Sequence, residues 1–597
     1  MSIIPELQSR FRSALTGLVD DPSEFVTMIR RSQDPKFGDY QANFAMPLGK
    51  RLGRPPREVA AEVIKRLDVA DLCQPPEIAG PGFINLRLKD DWLVARLAAA
   101  VADSRLGIAE TDKAKTFVID FSAPNVAKPM HVGHIRSTVI GDALCRILRF
   151  LGHKVISDNH IGDWGTQFGM ILYGYKHFRN EEAYRRSPVE ELSRLYRLVR
   201  RLMDYQASET PDAGDVELAK LSAEHPNINA AVLAETAKLH AGDEENRCLW
   251  QEVLPYCEDE IERMYRRLHV TFDYTLGESF YHDRLAEVVD ELLQRGIARE
   301  SDGAVCIFFE GQDAPMLVRK KDGAFLYGTT DLATIRYRME TWHPDAVLYV
   351  VDHRQSLHFK QLFAVAKLLG YNDIELQHVS FGTVLGDDGR PFKTRSGDTV
   401  GLEGLLDEAV RRASEVVATS DAAKPDGPEL GEEQRQRIAE TVGIAALKYA
   451  DLSQNRTSDY VFSYDKMLAM AGNTATYMQY AYARVRSIFT RGNVDVAALR
   501  ASQAPILLNS PAERLLALEL ICFSEALDLT VSDYRPNQLT AYLFDLANRY
   551  STFFEQCHVL RAESEELRQS RLLLCDLTAR TIEKGLELLG IQVVEKM

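Results

Sequence analysis

Apolar and polar positions change their period several times along the chain, and the changes mark its organisation. The first segment opens on an amphipathic helical pattern. It passes through the polar and aromatic turn Lys36-Phe37-Gly38-Asp39-Tyr40-Gln41-Ala42-Asn43. It closes on Gly80-Pro81-Gly82 and alternating apolar residues from Phe83 to Leu88, which read as an edge or hairpin strand. These elements predict a small α+β module over residues 1–112. From Lys113 the pattern becomes that of buried strands alternating with helices. Thr116 to Phe121 reads as a strand, Ile135 to Leu151 as a helix and Lys154 to Ser157 as a second strand, together a βαβ unit. Helical sequence follows from about 173 to 300, highly charged as far as Arg267, and reads as an insertion. A hairpin is predicted from Ala304 to Phe309 and Met316 to Lys320. The α/β pattern resumes at Ala346 to Asp352 and at Leu376 to Phe381. Two βαβ halves split by an insertion predict a doubly wound parallel sheet over 113–405, with a ligand at its switch point. Strands are expected to stop after about Val400. Residues 406–597 then read as an all-α helical bundle, broken near Arg491 to Pro511.

Composition narrows this picture a little. The 597 residues are 45% hydrophobic and 26% charged, which suits several globular domains. No apolar run is long enough to span a bilayer, and the start lacks the basic region and apolar core of a signal peptide. The eight cysteines are scattered with no Cys-x-x-Cys pair, so neither zinc nor a disulfide framework is expected, and a cytoplasmic location fits. A net charge of −16 argues mildly against nucleic acid as a partner. A basic stripe on one face would override it.

The chemistry concentrates in Ser122-Ala123-Pro124-Asn125-Val126-Ala127-Lys128-Pro129-Met130-His131-Val132-Gly133-His134, between a strand and a helix. The free N–H groups and positive dipole of a helix start favour an anion there. His131 and His134 are three apart and share a face, Lys128 adds a charge just upstream, and Gly133 admits close approach of a ligand. Together these favour a nucleotide phosphate site over a pair of ordinary capping histidines. A second basic loop, Gly386 to Gly397, carries Lys393 and Arg395 between glycines, a composition suited to closing on a triphosphate. The helical segment Thr474 to Phe489 interleaves Tyr477, Tyr480 and Tyr482 with Arg484 and Arg486. That pattern suits RNA, and equally suits tyrosines packed in a bundle.

These residues also spell a resemblance. His131-Val132-Gly133-His134 matches the HIGH motif of class I aminoacyl-tRNA synthetases, and the loop around Lys393 holds the place of their KMSKS motif. The stretches Asp120 to His131, Gly162-Asp163-Trp164-Gly165-Thr166-Gln167, Gly472-Asn473-Thr474-Ala475 and Tyr477-Met478-Gln479-Tyr480-Ala481 resemble arginyl-tRNA synthetases of the bacterial type, over essentially the whole chain. The resemblance implies a Rossmann-type catalytic domain, an N-terminal module touching the D-loop side of tRNA and a C-terminal anticodon-binding domain.

It also implies a reaction and a set of roles. Arginine is activated by ATP to arginyl-adenylate and transferred to the 3′ end of tRNA(Arg), releasing pyrophosphate and AMP. Magnesium enters on the ATP phosphates. The enzyme is expected to be a monomer that needs bound tRNA before it activates arginine. His131, Gly133, His134, Lys393 and Arg395 would bind ATP. Lys128 would replace the second lysine of the loop, where Ser396 stands. Tyr327, Asp331 and, at a second acidic position, Asp120 would form the arginine pocket, with Asp120 reaching the guanidinium directly or through a water. Asn125, His134 and Gln355 would hold the amino and carboxylate groups; Ala123 stands where some members have Ser. Asp331 also fits an N-cap after Gly328-Thr329-Thr330. Phe83, Asn85, Tyr477, Gln479, Tyr480 and Arg484 are the expected tRNA contacts. The competing readings are another nucleotidyltransferase of similar fold and a non-catalytic RNA-binding protein.

Overall fold

The computed structural model describes residues 3–208, 215–311, 314–392, 400–424 and 427–597, so Lys393, Arg395 and Ser396 lie outside the described residues. Two compact units emerge, each discontinuous in sequence. One contains Met1–Glu110, Val417–Val442 and Leu468–Met597; the other contains Thr111–Val416 and Gly443–Met467.

In the first unit the N-terminal module is a four-stranded antiparallel sheet. Its strands β1 (Ile29–Arg31), β2 (Tyr40–Ala42), β3 (Glu77–Ala79) and β4 (Phe83–Leu86) lie in the order β1-β2-β4-β3. The strand expected after Gly80-Pro81-Gly82 as an edge or hairpin strand is β4, which forms a hairpin with β3 and lies inside the sheet, not at its edge. Helices Ile3–Leu15 and Pro56–Arg66 pack on the module, burying Leu7, Phe11, Val59 and Val63. The rest of the unit is helical. Helices Ala475–Arg491, Pro511–Ile521, Asn537–Gln556 and Glu565–Leu588 form its bundle, and the predicted break holds a short helix, Val496–Ala501. Arg514, nearly buried, ties the module to the bundle through Asp39 and Asp90.

The second unit is built on five parallel strands: β5 (Thr116–Asp120), β6 (Lys154–Asn159), β7 (Tyr274–Thr275), β11 (Ala346–Tyr349) and β12 (Glu375–His378), in the order β12-β11-β5-β6-β7. Between β7 and β11 in sequence lie β8 (Arg299–Ser301), β9 (Ala304–Ile307) and β10 (Met316–Arg319), a small antiparallel sheet. The chain winds outward from β5 through β6 to β7, then crosses to β11 and β12 on the other side. The switch point is thus the gap between the carboxyl ends of β5 and β11, where a doubly wound sheet binds its ligand. Val118, Ile156 and Val347 meet Leu332 and Ile335 of helix Tyr327–Trp342, and Leu362 and Val365 of helix Ser356–Leu368, in one apolar core.

Three expectations are revised. The helix after the histidine loop starts at Val132, three residues early, because His131 itself caps it. The expected helical insertion is interrupted by β7, which extends the central sheet. Strands do not stop at Val400: β13 (Val384–Leu385) pairs in parallel with β14 (Tyr460–Val461), and residues 443–467 belong to the second unit. The reason is a buried ion pair, Arg136 to Asp451 at 3.0 Å, supported by Tyr460 and by the Ser458 carbonyl.

Candidate active site

The site is built where β5 ends. Ser122 and Ala123 adopt left-handed backbone, φ +69° and +44°, which costs non-glycine residues about 1–3 kcal/mol each. Their neighbours hold them there. The Ser122 N–H donates to Ser137 Oγ at 2.8 Å, and Ser137 donates onward to the Val350 carbonyl. Ser122 Oγ lies 2.8 Å from both Thr138 Oγ and the Tyr265 hydroxyl, and the Ala123 N–H donates to Asn159 Oδ1. Helix Val132–Phe150 presses on this turn at Gly141, where an added Cβ would stand 2.1 Å from Phe121 Cγ. Asn125 pairs with Gly162 across the site and closes its own turn by accepting from the Ala127 N–H.

The two histidines form the cap of that helix. His131 Nδ1 accepts from the Gly133 N–H at 3.1 Å, and His134 Nδ1 accepts from the His131 N–H at 3.0 Å. This is a capping box made of imidazoles, and the rings stack at 3.8 Å. An Nδ1 that accepts leaves the proton on Nε2, so each ring turns an Nε2–H donor away from the backbone. Burial and Lys128 hold His131 below the usual histidine range. Burial, the His131 ring and Lys128 bring His134 down to about 3. Both are neutral donors at neutral pH, and the positive charge at this mouth comes from Lys128, whose Nζ lies 5.9 Å from the Tyr196 ring. Residues 400–402 bind the same loop: the Val132 N–H donates to the Val400 carbonyl and the Leu402 N–H to the Met130 carbonyl. The segment that follows the basic loop in sequence is thus anchored on the histidine loop.

The expected arginine pocket lies along helix Tyr327–Trp342. Tyr327 is 65% exposed at its first turn. Asp331 is inside the helix, so it is not an N-cap; its Oδ2 lies 2.6 Å from His358 Nε2, and the Tyr327 ring packs edge-on against His358. Gln355 is exposed in the turn after β11. Asp120 departs from expectation: it is nearly buried and its Oδ2 accepts from Arg338 Nη2 at 2.6 Å, so the chain's own guanidinium already takes it. The sequence reading missed Glu278. Burial, together with the Asp163 and Asp331 carboxylates, pushes the Glu278 carboxyl up, against the opposing pull of His160. Carboxylates crowded in this way favour a cation between them.

The expected RNA contacts divide. Along helix Ala475–Arg491, Tyr480 is exposed and Arg484 stacks on Phe554 with its guanidinium 4.1 Å from the ring centre. Both line a cleft of about 1110 Å³ with Arg491, His558 and Arg561, groups that the sequence reading did not collect. Tyr477 is half-buried and donates to Asn548. Gln479 is fully buried and donates to the Gln592 carbonyl, so no surface for RNA remains on it. In the N-terminal sheet Phe83 is half-exposed. Asn85 is nearly buried, with Oδ1 accepting from Gln41, and offers little to a ligand in this conformation.

Comparison with known proteins resolves the class. Residues 96–464 match the family described as tRNA synthetases class I (R), catalytic domain. Residues 478–597 match the DALR anticodon binding domain, and residues 5–88 the Arginyl tRNA synthetase N terminal domain. The first match spans more than half the chain, and with the parallel sheet and histidine-capped helix it defines a class I aminoacyl-tRNA synthetase. The arginine–tRNA ligase of Rhodopirellula baltica is 50% identical over 665 aligned residues, 99% of each chain. That of Escherichia coli strain K12 is 42% identical over the whole of both. The structure of the Plasmodium falciparum enzyme superposes with a TM-score of 0.83 at 28% identity, covering 100% of this chain and 99% of that one. The Thermus thermophilus enzyme superposes at 0.80 with 24% identity over all of both chains, a likeness of fold. The chain belongs to the arginyl-tRNA synthetases and is an arginine–tRNA ligase.

Proposed function

We propose that the switch-point site of this ligase activates arginine on ATP before transfer to tRNA(Arg), with the following division of labour. ATP enters as its magnesium complex, the metal riding on the phosphates. Its triphosphate lies at the N-terminus of helix Val132–Phe150, where the Nε2–H groups of His131 and His134 donate to phosphate oxygens, Gly133 admits close approach, and Lys128 neutralises charge. Lys393 and Arg395 add positive charge for the triphosphate. Arginine enters with its guanidinium towards Asp331, Glu278 and Tyr327, and its amino and carboxylate groups at Asn125, His134 and Gln355. Its carboxylate attacks the α-phosphorus, pyrophosphate leaves, and the terminal ribose of tRNA then attacks the activated carbonyl. The residues position reactants and stabilise phosphate charge, with no covalent enzyme intermediate.

The observation that carries this reading is the imidazole capping box, which fixes two neutral donors at a helix N-terminus beside Lys128. Neutral donors suit a phosphate that gains charge during displacement, since their protonation does not vary near neutral pH. Domain roles follow the same reading: residues 1–112 contact tRNA through Phe83, and the C-terminal bundle takes the anticodon in the cleft at Tyr480 and Arg484. The enzyme works as a monomer in the cytoplasm. The test is arginine-dependent ATP–pyrophosphate exchange, with and without tRNA(Arg), in the wild type and in Lys128→Ala. Exchange is expected only with tRNA and is expected to fall severely in Lys128→Ala while tRNA binding persists. Robust exchange without tRNA, or an unchanged rate in the variant, would sink the respective assignment.

A further inference from the structure

Asp120 and Asp158 are cross-strand partners in β5 and β6, and Tyr349 of β11 pairs with Asp120 on the other side. Partners in adjacent parallel strands point to the same face, so two carboxylates stand side by side at the carboxyl edge of the sheet, beneath the switch point. Like charges in that position repel. Between them comes Arg338, from helix Tyr327–Trp342, with 0% of its surface exposed. Its Nη2 donates to Asp120 Oδ2 at 2.6 Å and to Asp158 Oδ2 at 2.7 Å, and its Nε lies 3.1 Å from Asp158 Oδ2. The guanidinium carbon lies 5.4 Å from the centre of the Tyr349 ring. One arginine thus joins two strands and a helix in a buried fork.

The same helix carries Asp331 seven residues earlier, two turns along the same face. Tyr327 begins it. Whatever fixes Arg338 therefore fixes the angle and height at which Tyr327 and Asp331 stand over the sheet. A carboxylate that must meet a guanidinium in fork geometry tolerates little displacement. Arg338 Nη1, Asp158 Oδ1, His160 Nδ1 and the Tyr281 hydroxyl are buried without hydrogen-bond partners among the described residues, all in this neighbourhood. The clamp is a buried polar island in which one guanidinium serves two carboxylates, and His160, beside it, also faces Glu278.

We propose that Arg338 is a positioning residue for the arginine pocket: the Asp120–Arg338–Asp158 clamp locks the helix bearing Tyr327 and Asp331 onto the sheet, and Asp120 serves the substrate through this clamp rather than by touching it. The inference rests on the pocket reading given above. The test uses the full-length protein in aminoacylation at saturating tRNA, measuring KM for arginine at saturating ATP and KM for ATP at saturating arginine in Arg338→Gln, Arg338→Lys, Asp120→Asn and Asp331→Asn. Arg338→Gln is expected to raise the arginine KM by about tenfold or more with the ATP KM within about twofold, a split that general loss of structure would not produce. Arg338→Lys keeps the charge but not the fork, and recovers part of the loss. Asp120→Asn keeps an acceptor for Arg338 and shifts the arginine KM much less than Asp331→Asn. Equal shifts in Asp120→Asn and Asp331→Asn would put Asp120 on the substrate and overturn the proposal, even if Arg338→Gln yields no soluble protein. A raised KM in Asp331→Asn with an unchanged one in Arg338→Gln would overturn this inference alone. An unchanged KM in Asp331→Asn would defeat the pocket reading, and this inference with it.

Discussion

The proposed role gives His134 two jobs that substitution can separate. Its Nδ1 accepts the His131 N–H at 3.0 Å, as the third-position group of a capping box, and its Nε2–H is left to donate. Glutamine at this position also completes a capping box; alanine does not. His134→Ala should lose about 1 kcal/mol from the cap, or about 2–4 °C in the melting of a unit of this size. His134→Gln should recover most of that. Neither variant presents an imidazole N–H to the phosphates, and removing one preorganised donor costs about 10²–10³ in rate, roughly 3–4 kcal/mol. The assay is arginine- and tRNA-dependent ATP–pyrophosphate exchange alongside thermal melting of the same samples. The expected result is a melting temperature that follows the cap and a rate that does not. If His134→Gln restores both together, the imidazole acts only through the helix end and the phosphate-donor reading is wrong.

Gly141→Ala should destabilise the catalytic unit by about 1–3 kcal/mol and slow exchange, because its Cβ meets Phe121 Cγ at 2.1 Å and the helix must retreat from the signature turn; an unchanged melting temperature would contradict that close packing. Acid stability should depend on the histidine pair. The folded His134 value of about 3 lies below the ordinary one near 6.5, so its contribution is complete above about pH 6.5 and is lost as pH falls towards 3, amounting to about 2 kcal/mol at about pH 5. A His134→Gln enzyme should accordingly lose less stability than the wild type between about pH 7 and 5, measured by denaturant unfolding. Arg484→Ala should raise the KM for tRNA and reduce its salt dependence while leaving the arginine KM unchanged; an arginine effect would remove this residue from the RNA surface.

What the sequence made legible was local. The His131-Val132-Gly133-His134 loop, the strand before it and the helix after it are contiguous, so composition and period sufficed. Gln479 was misread although a signal existed. Ala475, Met478 and Tyr482 mark the buried stripe of their helix, and Gln479 falls on that stripe at the i, i+4 position, facing the core. Arg338 and Glu278 carried no such signal. An arginine on a helix ordinarily reads as solvent-facing, and only the register of β5 with β6 reveals two carboxylates awaiting it. Strands β7 and β14 are two residues each, too short to show a period, and owe their existence to neighbours already in place.

The strained turn at Ser122 and Ala123 changes how the helical insertion is understood. Two left-handed residues cost about 1–3 kcal/mol each. Each hydrogen bond that holds them contributes about 0.5–1.5 kcal/mol, so no single partner suffices. Ser137 and Thr138 come from the capped helix and Asn159 from β6, but the Tyr265 hydroxyl comes from helix Glu244–Leu268, the last long helix of the insertion. That hydroxyl bridges Ser122 Oγ and Asn159 Nδ2, and Tyr265 is buried against Phe272, which also packs on Phe121. The insertion therefore supplies a post against which the signature turn is braced. A displacement of helix Glu244–Leu268 would reach Ser122 first and, through Ser137 and Thr138, the helix end that carries His131 and His134.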